Sequence, residues 1–220
     1  MCISNHQDAS RAVLHSPAMA EKTFITEQQL IEDAFRLGVK IFNDGFEPTF
    51  VVGLWRGGSS VGIYVQECLQ YLGIETDHIA LRTSYRGMAD YETMVSNASD
   101  KIRVHGTQYL LETLTNEDRL LLVDDVSGSG MTLKVVLERL RHKLKRNMPD
   151  DVRVATIWHK PERNMTGRTP DYCIHETNDW LVLPYELVGL SAEEIAQYKP
   201  YLGKLIRPEL AAHVTRHGEQ

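Results

Sequence analysis

The stretch from Leu120 to Thr132 constrains the fold more than any other part of the chain. An apolar run, Leu120-Leu121-Leu122-Val123, ends in the adjacent acids Asp124 and Asp125. Val126-Ser127-Gly128-Ser129-Gly130 follows, and apolar residues at helical spacing resume with Met131-Thr132. This is a buried strand, a turn of small residues and a helix start, the repeating unit of an α/β protein. The same pattern predicts strands at Phe50–Leu54, His78–Tyr85, Val152–Trp158 and Tyr172–His175. Helices are expected from Thr26 onward, over Val61 to Leu72, and along the stripe Leu133, Leu137, Leu140 and Leu144. Thr26 and Gln29 form a capping box, after which Leu30, Ile31, Ala34, Phe35, Gly38 and Phe42 predict one buried face. The expected fold is a mostly parallel twisted sheet flanked by helices.

Composition narrows the function classes. With 220 residues, 24 basic against 30 acidic groups and a net charge of −6, the chain reads as one acidic globular domain. That charge disfavours a dedicated nucleic-acid binder, and no apolar run is long enough to span a membrane. Cys2, Cys68 and Cys173 show neither metal-ligand nor disulfide spacing, which suits a reducing, cytoplasmic setting. Ala18-Met19-Ala20 imitates a leader cleavage site, but His15, Ser16 and Pro17 break the apolar core a leader needs. Residues 1–22 are therefore expected to be a loose tail, 23–190 the domain, and 191–220 a short extension. A capping box at Ser191 and Glu194 opens a helix in that extension.

In parallel sheets ligands sit beyond the carboxyl ends of the strands, so the segments after strands carry the chemistry. Ser127 to Thr132 can present successive backbone N–H groups and hydroxyls to an anion at a helix start. It is not a Walker A loop, because no lysine precedes Thr132. Asp124 and Asp125 would repel a bare phosphate, so they are expected to face sugar hydroxyls, a metal ion or both. A phosphorylated sugar fits that division. Arg56-Gly57-Gly58 offers a second anion site after its strand. Lys160, taken alone, reads as a solvated edge lysine and Trp180 as a core residue. Met88 to Lys101 is a long polar segment of the kind that forms a lid.

Together these segments resemble the type I phosphoribosyltransferases, most closely the 6-oxopurine branch, over roughly residues 24 to 190. Leu120 to Thr132 is similar to that family's phosphoribosyl pyrophosphate (PRPP) motif, and Arg56-Gly57-Gly58 to its pyrophosphate loop. Ser84-Tyr85 matches the dipeptide that opens the catalytic lid, and Lys160-Pro161 the Lys-Pro that meets the purine O6. Trp180 falls where the family stacks a base, with Leu181 beside it. Pro184-Tyr185-Glu186 parallels a run whose acid lies near magnesium. The resemblance implies a small hood over the base site, a Mg2+ cofactor held by Asp125 and Glu186, and a homodimer or homotetramer. It also implies catalytic roles for Arg56, Ser84, Tyr85 and Asp125. PRPP would be bound by Arg56, Gly57, Asp124, Asp125, Val126, Ser127, Gly128, Ser129, Gly130, Met131 and Thr132.

Two departures accompany it. Gly128 stands where 6-oxopurine enzymes usually carry an aspartate that handles the N7 proton. Val182 stands where the xanthine-guanine enzyme has a carboxylate, which leaves no acid for a 2-amino group and favours hypoxanthine over guanine, with guanine or xanthine still possible. Gly128 also keeps open a PRPP- or nucleotide-binding regulator without turnover, and a transferase for another nucleobase.

Overall fold

The computed structural model describes residues 22–85 and 102–206. Its elements are β1 (Lys22–Phe24), α1 (Glu27–Asn43), β2 (Phe50–Trp55), α2 (Gly57–Tyr71), β3 (Asp77–Tyr85), β4 (Ile102–His105), α3 (Gln108–Thr113), β5 (Arg119–Ser127), α4 (Met131–Leu144), β6 (Asp151–His159), β7 (Tyr172–Glu176), β8 (Trp180–Val182) and α5 (Ala192–Tyr198). Six strands form one sheet in the order β4-β3-β2-β5-β6-β7. Every pair is parallel except β3 with β4. This is the mostly parallel sheet that alternating strands and helices predict.

Strand parity explains the apolar run in β5. Leu121 and Val123 pack with Val51, Ala155 and Ile157 beneath α1 and α2. Leu120 and Leu122 face the opposite layer, against Val52, Leu54, Leu110 and the α4 stripe Leu133, Leu137, Leu140 and Leu144. Both sheet faces are covered, so successive residues are apolar. The strand can therefore carry polar groups only at its carboxyl end, where the helices stop covering it.

Two local expectations are corrected. On α1 the buried face is Leu30, Ala34, Leu37, Gly38 and Ile41, whereas Phe35 and Phe42 are exposed. Lys22, expected to end the loose tail, begins β1, which pairs in parallel with β8 as a separate two-stranded sheet. That small sheet carries Trp180. The C-terminal extension packs on the domain, with Tyr198 stacked on Phe24 at 3.8 Å and Lys22 paired with Glu194 at 2.8 Å. The Thr26 and Ser191 capping boxes both form. Among the described residues no helix is long and apolar enough to cross a membrane. The expected tail residues 1–21 and the expected lid, 88–101, lie outside the described residues.

Candidate active site

The carboxyl ends of β2, β5 and β6 converge on one side of the sheet. β5 delivers Asp124 and Asp125 there, each bracketed by backbone. The Asp125 N–H donates to Asp124 Oδ1 at 3.0 Å, and the Val126 N–H to Asp125 Oδ1 at 2.8 Å. The Tyr185 hydroxyl donates to Asp125 Oδ2. Burial, and then the neighbouring Asp125 charge, push the Asp124 carboxyl well above the usual carboxylate range. The start of α2 presses against this pair. A Cβ at Gly57 would overlap Asp125 Oδ2 and the Tyr185 hydroxyl, and one at Gly58 would lie 2.8 Å from Asp124 Cα. Both glycines are thus required by close approach.

Beyond the acids, the Ser127–Gly130 turn is held from behind. Lys160 N–H donates to the Ser127 carbonyl at 2.9 Å, and Met165 N–H to the Ser129 carbonyl at 3.1 Å. Gly130 caps α4 at φ 75°, and a Cβ there would stand 2.5 Å from Thr166 Oγ1. The turn therefore opens into a cavity of about 230 Å³ that Asp124, Ser127, Gly128, Thr132, Lys160 and Arg163 help to line. The cavity pairs an anion-binding helix start with a carboxylate at one end and two cations beside it.

Lys160 overturns its reading as a solvated lysine. It is 8% exposed, and its ammonium donates to the Asp179 carbonyl at 2.5 Å. Burial lowers its pKa, and Arg163 lowers it further. Trp180 is not a core residue but a surface ring, 54% exposed. Leu181, expected at the base, has its side chain in the core under α1 and α2. Val182 is also buried, its backbone aligned with Phe24 of β1.

Arg56 follows β2 across a cis peptide bond with Trp55 and caps α2. Its guanidinium lies 3.7 Å from Glu186 and 6.0 Å from the Tyr185 ring centre. Ser84 is engaged elsewhere, with His105 of β4 at 2.9 Å, on a strand two places from β5. Tyr85 aligns with Ile102 across the same hairpin. The structure therefore gathers Asp124–Thr132 with Lys160, and Arg56 with Glu186, but not Ser84 or Leu181. Arg163 and the Tyr185–Asp125 contact went unread. Arg163 sits three residues past Lys160 in the same post-strand segment, a signal that was available.

The donor set bears on magnesium. Among the described residues no group of three or more His, Cys, Asp or Glu side chains is disposed to hold a metal. Mg2+ commonly takes one or two carboxylates and completes its shell with water and substrate phosphates, so the acids at the end of β5 fit that role.

The phosphoribosyl transferase domain model matches residues 23–188. The chain belongs to this family. A relative, the hypoxanthine-guanine phosphoribosyltransferase of Lactococcus lactis, is 27% identical over 197 residues, covering 86% of this chain and 93% of that one. Such relatives place the likeness in the 6-oxopurine branch. The fold matches a purine phosphoribosyltransferase from Pyrococcus horikoshii at TM-score 0.56 and 24% identity, over 77% of this chain and 97% of that one. It also matches a Neisseria gonorrhoeae protein with bound ppGpp at TM-score 0.62 and 21% identity, over 82% and 97%.

Proposed function

We propose that the chain is a purine-salvage phosphoribosyltransferase, joining PRPP and a 6-oxopurine base into a nucleoside 5′-monophosphate with release of pyrophosphate. The observation that carries this is the cavity beside Asp124 and Asp125, with an anion-binding turn and the buried Lys160 in its wall. The Ser127–Thr132 turn would hold the 5′-phosphate through N–H groups and the α4 dipole. Asp124 and Asp125 would accept from the ribose hydroxyls. Lys160, already oriented by the Asp179 carbonyl, would donate to the purine O6. Hypoxanthine needs only that one exocyclic donor and is the base expected first, with guanine and xanthine as the alternatives.

In the reaction the C1′–O bond to pyrophosphate breaks, a C1′–N bond to the base forms, and the base loses one proton. Charge grows on the leaving pyrophosphate, where Arg56 and the start of α2 would stabilise it. Asp125, with Glu186 nearby, would hold Mg2+, which supplies further charge neutralisation on the phosphates when bound. Gly128 supplies no carboxylate for the base proton, so that proton would leave to water or to another carboxylate. A homodimer or homotetramer belongs to the same reading, and the exposed Phe35, Val39 and Phe42 along α1 support it. Because Gly128 removes an expected proton acceptor, a second reading is a PRPP- or nucleotide-binding regulator of the same fold.

The test is a product assay: protein, PRPP and Mg2+ with hypoxanthine, guanine, xanthine, adenine, uracil and orotate, read by mass spectrometry. Inosine 5′-monophosphate is the expected product. Binding of PRPP with no nucleotide from any base would replace the enzyme with the regulator.

A further inference from the structure

Lys199, just after α5, is a buried charge outside the contacts described so far. It is 5% exposed, and its ammonium donates to the Leu183 carbonyl at 2.9 Å and to the Pro184 carbonyl at 2.7 Å. An ammonium taken out of water is costly unless its protons are bonded, so two backbone acceptors fix where it can sit. Burial lowers its pKa, while the charges of Glu186 and then Glu27 act the other way.

Those carbonyls belong to the turn that closes from Leu183 to Glu186. Glu186 N–H donates to the Leu183 carbonyl at 3.0 Å, and Leu183 N–H donates back to Glu186 Oε2 at 2.9 Å. One side of the turn presents Tyr185 to Asp125 and Glu186 to Arg56. The other side rests on Lys199. The lysine's backbone N–H donates to the Ile195 carbonyl of α5, a helix tied to the start of the domain through Lys22–Glu194 and Tyr198 on Phe24, and Tyr201 just beyond it bonds Glu27.

We infer that Lys199 is a positioning residue: it fixes the turn that carries Tyr185 and Glu186, and so sets the geometry of the pyrophosphate end of the site. The C-terminal segment is then a strut of that end alone. The phosphate turn is braced independently, by the backbone of Lys160 and Met165. The inference rests on the phosphoribosyltransferase reading above.

Its test compares two ligands by calorimetry on the full chain. PRPP with Mg2+ occupies the pyrophosphate end as well as the ribose and 5′-phosphate sites; inosine 5′-monophosphate occupies the phosphate turn, the ribose acids and the base site but not the pyrophosphate end. Lys199→Met is expected to weaken PRPP binding by about tenfold, the scale of a lost charged hydrogen bond, and the monophosphate, which shares only the ribose acids with that end, by no more than about twofold. Lys199→Gln keeps two N–H donors without the charge, and should show the same selective loss to a smaller degree. If the methionine variant does not fold, the glutamine variant decides alone. Unaltered PRPP affinity, or equal losses for both ligands, would overturn the inference and leave the proposed function standing. Failure of the unmodified chain to bind PRPP would overturn the proposed function, and the inference with it.

Discussion

The two ends of the sheet each hold a tyrosine–aspartate pair with an arginine over the ring, and they differ in what completes the pair. At the amino end, the Tyr172 hydroxyl donates to Asp44 at 2.7 Å and Arg153 reaches the same carboxylate at 2.7 Å. Arg153 also bonds Asp151 and stacks 4.3 Å over Phe46. The charges of Asp44, Arg153 and Asp151 are paired there, and the Tyr172 bond, helped by Arg153, holds the Asp44 carboxyl below its usual value against desolvation. At the carboxyl end, Tyr185 bonds Asp125 in the same way, but Arg56 turns to Glu186 instead. Two adjacent carboxylates, Asp124 and Asp125, are left facing each other. A fold stabilises itself by closing such clusters; in the phosphoribosyltransferase reading, the one left open at the end of a buried strand is where the ligand would supply the missing partners.

The largest effect that can break this comparison comes from Gly57→Ala. Its Cβ would drive into Asp125 and Tyr185. Displacing those groups should cost about 10²-fold in kcat/KM, the usual scale for a misplacement near 1 Å. Activity within a few-fold of the unmodified chain would mean that Asp125 needs no such placement.

The tyrosines should then separate stability from activity. Tyr185→Phe should lower kcat/KM about tenfold, while Tyr172→Phe should cost about 1 kcal/mol of stability and leave kcat/KM unchanged. Burial, then the bond to Asp44, raises the Tyr172 pKa from 10.0 to about 12. The unfolded chain ionises first, so this contribution is full below pH 10 and is lost as pH rises towards about 12. Urea titrations from pH 8 upward should therefore show a shallower alkaline loss for Tyr172→Phe than for the unmodified chain.

Asp124→Asn sharpens the contrast by a smaller amount. Because the folded pKa of Asp124 is raised, its charge opposes folding at neutral pH and ceases to do so as pH falls towards about 4, where the unfolded group also protonates. The asparagine variant should melt a few degrees higher at pH 7, a gain that fades on acidification. A lower Tm at pH 7 would contradict the assignment of Asp124 as a strained functional acid.

Much of this arrangement was legible in the chain, for a local reason. Leu120 to Thr132 carries strand, acids, turn and helix start in consecutive residues, so neither the fold class nor the acids and phosphate turn required distant contacts. β4 and α3 escaped because Ile102–His105 and Gln108–Thr113 are short and follow a polar segment without periodicity. On α1 the aromatic residues Phe35 and Phe42 looked like core, yet the helix turns Leu37 and Ile41 inward instead. Lys160 looked solvated because nothing in its neighbourhood of sequence announces the Asp179 carbonyl that receives it. The Tyr185–Asp125 contact joins residues 60 apart, and Lys199 reaches a turn that only the folded chain brings beneath it.

The most direct test of the claim that the open pair is the ligand site and the closed pair is structural is calorimetric titration of PRPP with Mg2+ into three proteins: the unmodified chain, Asp44→Asn and Asp125→Asn. The account predicts unchanged affinity for Asp44→Asn and a loss of at least about tenfold for Asp125→Asn, on the scale of lost charged hydrogen bonds. Asp125→Asn binding PRPP as tightly as the unmodified chain would contradict it.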